Sequence, residues 1–325
     1  MNVGAAVTPV YVEPFLGGGG SWLPLLTARH LASLVPPVAW MGGKRKLAPV
    51  IHDLLGLDPV RPAPCILGDA CWWGEVWPLV LDPTTGPAVS EVLRSWQGED
   101  PTALWLRLRD AGPSADPVEH TASLLWLQAG AASGVPVWWR DDGSAGGPGF
   151  NTGQANAKGS IGGPVRLTAS NGRGMTHEAG HRQRHSEGGK TGGVLFPATV
   201  AARLDAIRLA AAAWPITVEH DDAQSFTERW APRLGERARV YLDPPYEGKT
   251  SYPSVCPRSE VLSIARTWAS HGARVVLSEA VDLSGELGPG WSGLRLRGGR
   301  KQEWVTSFGC RRESAYGPLF MGGAL

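Results

Sequence analysis

Short runs of contiguous apolar residues alternate along this chain with stretches in which apolar positions recur every three or four residues. PVYVEPF (9–15), PCILGD (64–69), PITVEH (215–220), ARVYLD (238–243) and ARVVLSEA (273–280) are of the first kind. Such runs predict strands, and a continuous apolar run is expected when both sheet faces are covered. Helices are predicted between them. Pro197 can open one whose single face carries Val200, Leu204, Ile207, Ala211 and Trp214. LAPVIHDLL (47–55) has a helical pattern. Ser259 can cap another helix, with the stripe Val261, Ile264, Ala265 and Trp268 and an end at His271-Gly272. Alternating strands and helices predict an α/β open sheet. Ligands of such sheets lie outside the carboxyl ends of the strands, so the residues just past each strand are the candidates for chemistry.

Three zones divide the 325 residues: 1–140, apolar with Trp-rich patches; 141–193, Gly-rich and basic; and 194–325, where apolar periodicity returns. The middle zone holds too few large apolar residues to form a core alone. Its Lys158, Arg166, Arg173, Arg182, Arg184 and Lys190 outnumber Glu178 and Glu187, which suits either a solvated insertion or contact with a polyanion. The whole chain carries 31 Lys and Arg against 30 Asp and Glu, so a nucleic-acid footprint is expected to be local. Four cysteines without a C-x-x-C pair argue against a disulfide framework or structural zinc and fit a reducing, cytoplasmic setting. The opening MNVGAAVTPVYVEP does not read as a signal peptide, and no apolar run approaches the ~20 residues that span a bilayer.

The strand ends hold the candidate chemistry. After PVYVEPF comes Leu16 and then Gly17 to Gly20, which can turn tightly and let a ligand approach the backbone. Glu13 and Phe15 put a carboxylate and an aromatic beside that turn, suited to a cationic amine and an apolar group. Asp69 ends the second strand, where a carboxylate can hold ribose hydroxyls or cap a helix. Trp40 to Leu47 (WMGGKRKL) puts bases at a helix start, able to hold a carboxylate or phosphate. Asp243-Pro244-Pro245-Tyr246 is the strongest signal: an apolar strand delivers a carboxylate, two prolines fix φ, and an aromatic comes next. An exocyclic amino group of a base is a poor nucleophile because its lone pair is delocalised. Acceptors around its N–H groups, here Asp243 and the Pro244 carbonyl, would favour the positive charge developing in the transition state, while Tyr246 stacks on the base.

Together these segments resemble the Dam-like class of adenine-specific DNA methyltransferases. YVEPFLGGGG (11–20) looks like the cofactor turn of that class, AWMGGKRKLAPVI (39–51) its basic motif, ILGDA (66–70) its ribose-binding strand and YLDPPYEGKTSY (241–252) its catalytic motif. VVLSEA (275–280) and EWVTSF (303–308) resemble later strands. In that class the basic motif precedes the glycine turn; here it comes after. The resemblance implies a Rossmann-like methyltransferase sheet with helices on both faces. Residues 1–140 would form its cofactor-binding part, 194–325 its catalytic part, and 141–193 a Gly-rich insertion for target recognition. Glu13, Phe15, Gly17, Gly18 and Gly19 would surround the methionine part of S-adenosylmethionine. Trp40 and Lys44 would contact the cofactor and help place the adenine, and Asp69 would hold the ribose. Asp222, or equally Asp221, would meet the cofactor's adenine unless it caps the helix AQSFTERW. Asp243 would touch both cofactor and target, with Pro244, Pro245 and Tyr246 completing the catalytic set.

The implied reaction is direct methyl transfer to the amino group of adenine in double-stranded DNA, with no enzyme nucleophile. Carbon-5 cytosine chemistry would need a Cys nucleophile, commonly after a Pro; Cys256-Pro257, just past the catalytic motif, has the reverse order. A base in a duplex must be flipped out, at about a few kcal/mol. DNA contacts are expected from Lys44 to Lys46, residues 158–190, Arg295, Arg297, Arg300 and Lys301, and Arg311-Arg312. No membrane is expected, and whether a restriction endonuclease accompanies the enzyme is open. The alternatives are an amino-group methyltransferase acting on RNA or cytosine, and a non-catalytic DNA-binding module of the same fold.

Overall fold

The structure is a computed structural model. It describes residues 8–26, 34–40, 43–58, 63–131, 137–139, 145–146, 196–247, 256–297 and 303–310. The five expected strands form as β1 (Val10–Glu13), β2 (Cys65–Asp69), β5 (Ile216–His220), β6 (Ala238–Leu242) and β7 (Arg274–Glu279). A terminal pair, β8 (Trp291–Arg297) and β9 (Glu303–Phe308), completes one mixed seven-stranded sheet of order β5-β2-β1-β6-β7-β9-β8. The first five pair in parallel, while β9 runs antiparallel to both β7 and β8. Strands from before and after the Gly-rich stretch are thus interleaved in one sheet. The expectation for 141–193 lies outside the described residues apart from β4 (Ala145–Gly146), whose backbone pairs with β3 (Trp138–Trp139).

Alternation along the strands sends side chains to two cores. Val10, Val12, Ile66, Val240, Leu242, Val275 and Leu277 enter one. Tyr11, Cys65, Leu67, Tyr241 and Val276 enter the other. Helices α8 (Ala223–Leu234), α9 (Arg258–Ser270) and α10 (Ser284–Leu287) cover the first. The second is covered by α1 (Leu23–Leu26), α2 (Ala48–Leu55), α3 (Trp73–Leu81), α4 (Thr85–Ser95), α5 (Pro101–Ala111), α6 (Pro117–Gly130) and α7 (Pro197–Ala211). Val200, Leu204, Ile207 and Ala211 face the core as expected; Trp214 is buried too, but beyond the end of α7. The stripe of α9 is likewise buried, although Ser259 does not cap it: the helix starts at Arg258 after Pro257, a residue with its φ already set for the turn.

Helices α3 to α6 and strand β8 carry no expectation from the sequence pattern. Helix α6 is buried all the way from Thr121 to Gly130, so it has no polar face to generate a periodic signal. Its start is nevertheless marked: Asp116 accepts the N–H groups of Val118 (2.7 Å) and Glu119 (3.2 Å), and Pro117 takes the first helical position. Asp100-Pro101 opens α5 in the same way. Among the described residues no helix is long and apolar enough to cross a membrane.

Candidate functional site

The strand order reverses between β1 and β6, because β2 and β5 lie to one side and β6 and β7 to the other. A crevice outside the carboxyl ends of the strands is expected at such a switch point. Glu13, Asp69 and Asp243 stand at the ends of the three strands there, β1, β2 and β6. Their charges act on one another: Asp243 and Asp69 both raise the Glu13 carboxyl.

The glycine turn leaves β1 through Pro14 and Phe15. Gly17 and Gly19 have φ of 50° and 85°, a region open mainly to glycine. The turn is bound to β2: Leu16 N–H donates to the Gly68 carbonyl at 2.9 Å, and Gly17 N–H to Asp69 Oδ2 at 2.7 Å. Asp69 Oδ1 accepts the N–H of Cys71 at 2.7 Å. Burial pushes the Asp69 carboxyl up to about 6, with these two N–H groups pulling the other way. Glu13 lies deeper, 1% exposed, and burial raises its carboxyl well above the usual range. The hydroxyls of Tyr11 (2.9 Å) and Ser21 both donate to it. The Ser21 carbonyl in turn accepts from His52 Nε2 at 2.9 Å, which fixes the tautomer, and burial holds that imidazole neutral by lowering it to about 4. Phe15 turns toward the opposite core, packed against the α8–α9 side.

Backbone contact brings the basic segment to this turn. A Cβ on Gly20 would stand 2.9 Å from the Lys44 nitrogen and 3.2 Å from that of Arg45; one on Gly18 would stand 2.9 Å from Trp40 Cβ. The Trp40 indole covers Gly17 and Gly18 and meets Trp72 and Trp73 edge-on, with centroids 5.7 and 5.5 Å away. Gly20→Ala must therefore move main chain rather than a flexible side-chain tip. We expect a loss of about 1–3 kcal/mol in denaturant unfolding. An unchanged midpoint would mean that the two segments are not in close contact.

Lys44 is 6% exposed and reaches across to Asp243, Nζ to Oδ1 at 2.8 Å. Its ammonium also lies 3.6 Å from Glu303 Oε1 and 4.9 Å from the centre of the Tyr246 ring. The Tyr246 hydroxyl donates to Glu303. Burial alone would lower the Lys44 ammonium, but the charges of Asp243 and Glu303 outweigh it and raise it. Burial pushes Asp243 up to about 6; Lys44 opposes that shift, and Glu303 and Glu279 add to it. Asp69, Asp243 and Glu303 thus stand around one ammonium at the carboxyl ends of the strands, with the Glu13 carboxyl buried behind them.

The sequence places Lys44 both in the site and at a DNA-contacting surface. It is in the site; of that basic cluster, Arg45 and Lys46 are the exposed members. Asp222 caps α8, its Oδ1 accepting the Ser225 N–H at 2.8 Å, and Asp221 pairs with Arg229 at 2.7 Å. Arg295 is exposed on β8 with its guanidinium 6.0 Å above the Trp304 ring; Arg300, Lys301, Arg311, Arg312 and residues 158–190 lie outside the described residues. Sequence reasoning missed Glu303, because an antiparallel strand brings its first residue, not its last, to the carboxyl edge of the sheet. A separate concavity of about 290 Å³, lined by Arg237, Arg239, Arg274 and Glu236 among others, lies at the opposite edge, where β6 and β7 begin. No protein-family model matches the chain, and no curated protein matches it.

Proposed function

We propose that the chain is a site-specific DNA methyltransferase that uses S-adenosylmethionine and acts on the exocyclic amino group of adenine. The single observation that carries this reading is the gathering of Glu13, Asp69, Asp243, Lys44 and Tyr246 around a glycine turn at one switch point. Numbered along the chain, the parallel strands run 3-2-1-4-5, the order of the first five strands in dinucleotide-binding sheets, which favours a Rossmann-like methyltransferase fold over other α/β arrangements. The charge of the site fits the cofactor: the Asp69, Asp243 and Glu303 carboxylates outnumber the Lys44 ammonium, which suits a ligand that carries a sulfonium and an amine. When bound, S-adenosylmethionine would supply an already activated methyl group, so no nucleophilic side chain is needed.

The chain's own residues then bind, orient and stabilise charge. Glu13 and Gly17 to Gly19 would hold the methionine part, and Asp69 the ribose. Trp40 would wall the turn. Asp221 and Asp222, at the end of β5, would border the cofactor's adenine. Asp243 already takes an N–H donor at 2.8 Å, that of Lys44, and an exocyclic amino group offers donors of the same kind. With the Pro244 carbonyl, it would draw off positive charge as the amino nitrogen gives up its delocalised lone pair. Tyr246 would stack on the extruded base. Such an enzyme would work in the cytoplasm on duplex DNA.

The test is a product assay. The full chain is incubated with methyl-labelled S-adenosylmethionine and, separately, with unmethylated duplex DNA and RNA, and the products are digested to nucleosides. N6-methyldeoxyadenosine from the duplex is the expected product. Label on cytosine or on RNA would reassign the substrate, and DNA binding without cofactor binding would favour a non-catalytic module. Asp69→Ala should weaken cofactor affinity about tenfold or more, a charge-assisted hydrogen bond being worth ~1.5–3 kcal/mol. Calorimetric titration giving wild-type affinity would remove Asp69 from the ribose.

A further inference from the structure

We propose that Glu303 is a positioning residue for methyl transfer, fixing the plane of the Tyr246 ring and holding Lys44 against Asp243. This rests on the methyltransferase reading above and gives a role to a residue that the sequence reading placed only in a strand.

Three observations carry the assignment. First, topology places Glu303. Trp304 pairs with Glu279 in the β7–β9 register, so Glu303 lies just past the carboxyl end of β7, beside the turn that leaves β6. Leu242 pairs with Leu277 one strand away, which puts Asp243, Glu279 and Glu303 along one edge of three neighbouring strands. Second, its contacts are with the proposed machinery rather than with the core. The carboxylate accepts the Tyr246 hydroxyl, and the same Oε1 lies 3.6 Å from the Lys44 ammonium. Third, it is 17% exposed, so its contacts are only partly screened by water.

Stacking needs a ring held in a fixed plane, and a tyrosine ring on a turn can rotate about two side-chain bonds. Anchoring its hydroxyl removes most of that freedom, and a base extruded from the duplex then meets a surface already in plane. The Lys44 ammonium, shared between Asp243 and Glu303, is held in turn beside the same ring. Glu303 also acts on Asp243 through space. The groups facing Asp243 are Lys44 from the segment before α2, Glu303 from β9, Glu279 from β7, Glu13 from β1, Tyr241 from β6 and Tyr246 from its own turn. Lys44 favours the ionised carboxylate, while Glu303 and Glu279 oppose it.

Steady-state transfer to unmethylated duplex DNA by the full-length chain tests this, with Glu303→Ala, Glu303→Gln, Tyr246→Phe and the double variant Glu303→Ala/Tyr246→Phe. Glu303→Ala should lower kcat by about 10- to 100-fold, the scale of a small misplacement at a reacting centre, and change the KM for S-adenosylmethionine less than about threefold. Glu303→Gln keeps an acceptor for the phenol and should recover most of kcat. Both substitutions remove a negative charge beside Asp243, so the acid limb of the pH–rate profile should move to lower pH in both. A role in stability alone would lower the folded fraction and leave the limb where it is. Tyr246→Phe should cost less in the Glu303→Ala background than in the wild type, because the hydroxyl has by then lost its partner. Wild-type kcat together with an unmoved limb in folded Glu303→Ala would overturn the assignment and leave the methyltransferase reading standing. Absence of transfer by the wild-type chain to any nucleic acid would overturn that reading, and this assignment with it.

Discussion

Asp243→Ala should abolish methyl transfer, by at least about 10²–10³-fold in kcat, the scale of removing one preorganised hydrogen-bonding group at a reacting centre. The effect should fall on kcat rather than on DNA affinity, because the carboxylate is only 19% exposed and engaged by the Lys44 ammonium. The substitution also leaves the Lys44 ammonium buried beside Glu303 without its shorter carboxylate contact, so circular dichroism must first establish that the variant folds. Asp243→Asn is the sharper probe. It keeps the shape and one acceptor oxygen, preserves more of the packing, and still loses the charge that the reaction needs. Wild-type turnover by either folded variant would take Asp243 out of the chemistry, and the proposed function would lose its central group.

Lys44→Met is expected to have the second-largest effect, and its sign depends on pH. In the wild type the ammonium opposes the upward shift of Asp243, which stands at about 6. Without it, burial and the charges of Glu303 and Glu279 act unopposed, and the Asp243 carboxyl rises further. The acid limb of the pH–rate profile should therefore move to higher pH, and activity at neutral pH should fall accordingly. Stability obeys the same linkage. A carboxyl whose folded value exceeds its unfolded one contributes fully below the unfolded value, and that contribution is lost as pH rises through the folded value. For Asp243 in the wild type this window runs from about 4 to about 6. In Lys44→Met it widens upward, so the variant should be about 1–3 kcal/mol less stable than wild type at mildly alkaline pH and close to it in mild acid. That figure is below the ~3–5 kcal/mol for breaking a fully buried pair, because water reaches both carboxylates. Urea unfolding under the two conditions measures it. An equal deficit in both would mean that Lys44 acts through packing and not through charge.

Much of the sheet was legible in the sequence because its five parallel strands are short apolar runs, four of which end at Pro or Asp. Their order in the sheet was not legible, since it depends on pairings between residues as far apart as Val10 and Ala238. Asp243, Asp69 and Glu13 could be singled out because parallel strands deliver their last residues to the site, and a strand's end is visible as a break in apolarity. Glu303 could not be found that way, for it opens its strand. Helix α6 escaped for a different reason: buried from Thr121 to Gly130, it has no polar stripe there, although Asp-Pro at 116–117 marked its start, as Asp-Pro at 100–101 marked that of α5. At Asp222 the helix cap and the cofactor contact were both legible from the sequence, and the cap is what the hydrogen bond to Ser225 displays.

The packing of Gly20 on the Lys44 backbone has a genetic consequence. Because these two segments are neighbours through main-chain contact, the ammonium arrives beside Asp243 whichever segment is translated first. A circularly permuted gene that placed the basic stretch ahead of β1 would rebuild the same constellation, provided the new linker spans the gap. Pattern searches that demand a fixed sequence of motifs would discard such rearranged chains, while a three-dimensional template of the site's side chains would keep them.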